Sequence, residues 1–89
     1  MTATVRASEV GLQRVDQARR KKQWNKYEKA WYGLANTSAS TLKRFWSKKP
    51  IQADIFESIC KAVGIEDWEE IADWVYYAWG FVAFFRVNN

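Results

Sequence analysis

Apolar residues recur along this chain at helical spacing, in blocks separated by short polar turns. Over residues 8–22, Leu12, Val15 and Ala18 lie along one side and Ser8 stands where a helix cap is needed, predicting a first helix. Asn25 and Glu28 have capping-box spacing, and Tyr27, Ala30, Trp31 and Leu34 follow as the buried stripe of a second helix. A third, short helix begins after Ser38 with Leu42 and Phe45 inward, and the run Ser47-Lys48-Lys49-Pro50 ends it. Over residues 52–63, Ile55, Phe56, Ile59, Cys60 and Val63 share a face, and Gly64 is placed as the left-handed residue closing a fourth helix. Asp67 and Glu70 repeat the capping-box spacing before Trp68, Ile71, Ala72, Val75 and Ala78, the stripe of a fifth. Residues 1–7 show no period and are read as a flexible arm. The predicted fold class is all-α: a compact five-helix bundle with a core over residues 8–65 and a C-terminal aromatic segment over residues 66–89.

That last segment departs from amphipathic patterning. From Trp74 to Phe85 nearly every residue is apolar. The run is about 12 residues, against about 20 needed to cross a bilayer, so no membrane span is expected. Packing on the bundle accounts for one of its sides. The other, with Trp74, Tyr77 and Phe81, is expected to meet a second copy or a partner protein.

Composition adds constraints. A chain of 89 residues has room for one domain, and six Trp, five Phe and four Tyr supply bulk for a small core. A single cysteine excludes an intrachain disulfide and fits a reducing, cytoplasmic setting; Cys60 is expected to be a buried apolar residue. Histidine is absent, so no metal site or catalytic triad that needs imidazole is available, and neither a cofactor nor enzyme activity is expected.

Charge is segregated. Residues 1–18 hold two cations and two anions. Residues 19–49 hold ten cations and only one anion, Glu28, while residues 50–89 hold two cations and seven anions. A strongly positive middle beside a negative end describes a bipolar molecule with one side suited to a polyanion. Arg19, Arg20, Lys21, Lys22, Lys26, Lys48 and Lys49, with the Ser38 hydroxyl, are the candidates for contacts to a nucleic-acid backbone. On the third helix, Ala39, Ser40, Lys43 and Arg44 are left facing outward. Small residues let a helix start approach a groove wall, and long cations one turn on can reach a base edge, so these four are the base-reading candidates.

Taken together, these residues resemble the phage-repressor and Cro-type helix-turn-helix domains over residues 11–65. The agreement is best over residues 36–45 and over Phe56-Glu57-Ser58-Ile59-Cys60-Lys61-Ala62-Val63-Gly64-Ile65. The chain is more similar still to small modules at the N-terminus of large cyanobacterial and other bacterial signalling proteins. It shares with them Asp16-Gln17-Ala18-Arg19-Arg20-Lys21, Ser40-Thr41-Leu42-Lys43-Arg44-Phe45-Trp46 and Trp68-Glu69-Glu70-Ile71. The resemblance implies a double-stranded DNA-binding transcriptional regulator, a repressor acting as a homodimer. It departs from the repressor pattern at the turn, where Asn36 stands for the common glycine and Thr37 for the core valine, and it has no base-reading glutamines. The alternative is a protein-interaction or adaptor module on the same scaffold, without base reading.

Overall fold

The computed structural model describes residues 3–75. Four α-helices and a three-stranded antiparallel sheet make up the described fold: β1 (Thr4–Ala7), α1 (Glu9–Lys21), α2 (Lys29–Leu34), α3 (Ala39–Trp46), β2 (Ile51–Gln52), α4 (Ala53–Ala62), a 3-10 turn (Trp68–Ile71) and β3 (Ala72–Val75). The all-α five-helix reading is therefore corrected to a mixed α/β fold.

Both ends of the described chain carry the correction. Residues 4–7, read as part of a flexible arm, form the middle strand of the sheet, whose order is β2-β1-β3. Thr4-Val5-Arg6-Ala7 alternates, with Val5 and Ala7 buried and Arg6 exposed, which is strand patterning in a segment too short to show a period by itself. β1 pairs Val5 with Ile51 on one side, and Val5 with Trp74 and Ala7 with Ala72 on the other.

The predicted fifth helix fails at its cap. Asp67 accepts two hydrogen bonds from the Arg14 guanidinium, at 2.8 and 3.0 Å, and makes no side-chain cap. One 3-10 turn follows, and the chain then extends, because Ala72-Asp73-Trp74-Val75 meets the open edge of β1. Aromatic and β-branched residues favour that pleated surface. Trp74 is a half-buried strand residue 5.9 Å from Trp68, not the outward face of a helix. Tyr77, Ala78 and Phe81 lie outside the described residues.

Helices α1, α3 and α4 keep their predicted places, α2 starts later than predicted, and all four close the same way. In each, the third residue past the helix donates its amide to the carbonyl oxygen five positions earlier, as from Trp24 to Arg19 and from Ile65 to Cys60. The residues that take the left-handed conformation at these exits are Gln23, Asn36, Lys48 and Gly64, with φ between 56° and 89°. This is the Schellman closure, built three times out of four without glycine. Helix α2 is shorter than predicted. The Asn25–Glu28 bond forms, with the Asn25 amide donating to Glu28 at 3.2 Å, but it closes a turn, and the helix starts at Lys29. Tyr27, Ala30 and Leu34, expected inside, are consequently exposed, Leu34 at 69%.

The core gathers Val5, Val15, Trp31, Leu42, Phe45, Phe56, Ile59 and Ile71 from every layer. Through it runs a continuous file of rings, Trp24–Trp31–Trp46–Phe45–Phe56–Trp68–Trp74, with successive centroids 5.5 to 6.2 Å apart. Spacings of this size are those of favourable aromatic pairs. Cys60 is buried as expected, and burial pushes its thiol up to about 12. Gly33 faces open space and admits no close helix approach, whereas Gly11 does: a Cβ there would lie 2.7 Å from the Ile71 side chain.

Candidate interaction face

The face is built on the joint between α2 and α3. Trp31, fully buried, anchors α2 and donates its indole N–H to the Ile59 carbonyl at 3.1 Å. Asn36 then turns the chain at φ 56°, a conformation that asparagine tolerates better than most residues with a side chain. Ser38 caps α3 by accepting from the Thr41 amide at 3.3 Å, as the sequence predicts. Leu42 and Phe45 point inward at 0% and 1% exposure, which leaves Ala39, Ser40, Lys43 and Arg44 exposed on the opposite side.

The cations divide into two groups. Several are engaged within the chain. Arg19 and Arg20 both pair with Asp16, and Arg19 also donates to the Trp24 carbonyl at 2.9 Å. Arg44 donates to the Pro50 carbonyl at 2.7 Å and so fastens the corner after α3. Lys48 pairs with Glu9, holding that carboxyl below its ordinary range. Lys22 lies 5.4 Å from the Trp24 ring centre and Lys26 lies 5.2 Å from that of Trp46. Trp46 is held in turn by its indole N–H, which donates to the Lys26 carbonyl at 3.0 Å. Ion-pair partners are absent, among the described residues, from Lys21, Lys22, Lys26, Lys29, Lys43 and Lys49.

Tyr27, Ala39, Ser40 and Lys43 together line a shallow notch of about 350 Å³. Of the four base-reading candidates, three are thus brought together, and Arg44 is drawn off to its own corner. Tyr27 was missed as a site residue because helical spacing assigned it to the core. Its signal was the Asn25 turn: the Tyr27 amide donates to the Asn25 side chain at 2.9 Å, which takes the ring off the helical period. The lining of the notch thus combines an aromatic ring and a methyl group with one hydroxyl and one ammonium. Such a surface suits an apolar side chain carried beside an acid.

A second, larger cleft of about 420 Å³ lies between the C-terminal half of α1 and the exit of α4, with Arg14, Lys21, Lys22 and Gly64 among its lining. Arg14 is already committed there to Asp67. Among the described residues no helix is long and apolar enough to cross a membrane.

No family model matches the chain, and no solved structure matches it. It is 31% identical over 90 residues to an uncharacterized WD repeat-containing protein of Nostoc sp., an alignment that takes in 82% of this chain. Nothing in that likeness supports the DNA-binding repressor that the helix-turn-helix resemblance implied. The chain spans 7% of that relative's length, so what is similar is a short stretch of a much longer protein.

Proposed function

We propose that this chain is a protein-interaction module whose α2–α3 face docks an acidic segment carrying an apolar side chain. The notch carries the reading. Tyr27 and Ala39 offer apolar surface, Lys43 stands at its edge with no ion-pair partner among the described residues, and Lys26 and Lys29 add charge nearby in sequence. Removing apolar surface from water supplies affinity, and the surrounding ammonium groups select for acids and speed encounter. Likeness to a short stretch of a much longer WD repeat-containing protein supports the same reading.

The test is a titration followed by backbone amide NMR with a glutamate-rich peptide bearing one leucine or phenylalanine. Shifts confined to residues of the α2–α3 joint, lost in Ala39→Arg, are the expected result. A mixed-sequence DNA duplex is the control. Duplex binding that falls steeply with salt, with no response to the peptide, would overturn the reading in favour of a nucleic-acid ligand.

A further inference from the structure

Resting on that reading, we infer that the acidic partner of the α2–α3 face is a second copy of this chain, seated through its 3-10 turn. Glu66, Glu69 and Glu70 surround that turn in sequence, are exposed, and have no ion-pair partner among the described residues. Trp68 lies among them, half-buried and packed against Phe56 and Trp74, so the turn offers carboxylates beside the part of that ring left exposed. That is the combination the notch accepts.

The two patches belong to different parts of the fold. The 3-10 turn packs on α1 and α4, while α3 packs on α2, β1 and β2. Among the described residues no ion pair joins the lysines of the face to the carboxylates of the turn within one copy. A neighbouring copy supplies that pairing, and the contact joins unlike surfaces. Contacts of this kind are heterologous and propagate from copy to copy, closing into a ring or continuing as a filament. Charge complementarity is the argument for a second copy over an unrelated acidic protein: both halves lie on one chain and are present at equal concentration. Between exposed charges this attraction is screened over roughly 10 Å at about 0.1 M salt, so it is salt-sensitive.

Sedimentation velocity of the full chain at about 50 and 500 mM NaCl tests this. The expected result is concentration-dependent association at low salt, weakened about tenfold or more at high salt. Neutralising the face (Lys29→Gln with Lys43→Gln) or the turn (Glu69→Gln with Glu70→Gln) weakens self-association in each variant. Mixing the two variants restores a complex that stops at one-to-one, because each retains one intact half. All four residues are exposed, so thermal melts should match the parent. A mixture that stays monomeric, or a parent monomeric throughout, overturns the inference. A monomeric parent that still shows peptide shifts at the α2–α3 joint leaves the docking reading standing, whereas loss of both responses overturns both.

Discussion

Gly11 shows how a single side chain sets the approach of two elements. Its missing Cβ leaves room for Ile71, whose Cβ and carbonyl oxygen both lie 2.7 Å from where an added methyl would sit. Gly11→Ala gains helix propensity but drives α1 off the 3-10 turn, and overpacking of this kind costs about 1–3 kcal/mol; chemical denaturation measures it. Gln23 works in the opposite sense. It occupies a left-handed position, φ 61°, at the exit of α1. Gln23→Gly removes a strain of about 1–2 kcal/mol, part of it offset by the looser unfolded chain. A higher melting temperature for this exposed substitution is the expected outcome.

Asp67 sets a pH dependence of definite sign. The Arg14 guanidinium donates two hydrogen bonds to it and holds its carboxyl below the ordinary 3.8. A folded-state value below the unfolded one stabilises above pH 3.8, and that contribution is lost as pH falls through the folded value. An NMR titration should place the Asp67 midpoint below 3.8, and Arg14→Gln should return it toward 3.8. Both side chains are substantially exposed, so the effect on stability is small.

At the scale of elements, α2 is only six residues long and too short to persist without tertiary packing. It hangs on Trp31, which stacks 6.2 Å from Trp24 and edges Trp46 at 5.8 Å. Trp31→Ala should therefore cost about 3–5 kcal/mol, and it should broaden amide signals through the α2–α3 joint before the rest of the fold is lost. Helices α1 and α3 were legible because caps are local: Ser8 and Ser38 accept from amides three residues on, as their spacing implies, whereas the Asn25–Glu28 spacing closes a turn ahead of α2. The sheet was not legible, since a strand of four residues announces itself only through partners that lie 46 or more positions away. The same locality explains the Asp67 misreading. Capping-box spacing gives no hint that Arg14, 53 positions earlier, claims the carboxylate. Within the candidate face, the outward set of α3 followed from helical periodicity. Which cations were already engaged did not, because Arg44 turns to Pro50 and Lys48 to Glu9 only once the corner is folded.

For the whole molecule, much of the arginine content goes into intramolecular contacts. Lysines dominate what is left on the basic side. An ammonium on a flexible stem attracts acids without fixing a planar partner, so selectivity has to come from the shape of the notch. Substituting Tyr27 should therefore cost more discrimination between acidic peptides than substituting any one lysine.

The strand order β2-β1-β3 also bears on assembly of the fold in time. The middle strand leaves the ribosome before either flanking strand, and Val75, which pairs with Thr4, emerges last of the described residues. A nascent chain halted after α4 holds β1 with only the two-residue β2 beside it, one edge still bare. Sheet closure is then a late step requiring the longest loops in the molecule, and folding should be slower than the helical content alone suggests. Deleting residues 1–7 would remove the strand common to both pairings, and loss of the cooperative melt, not mere trimming of an end, is the consequence to look for.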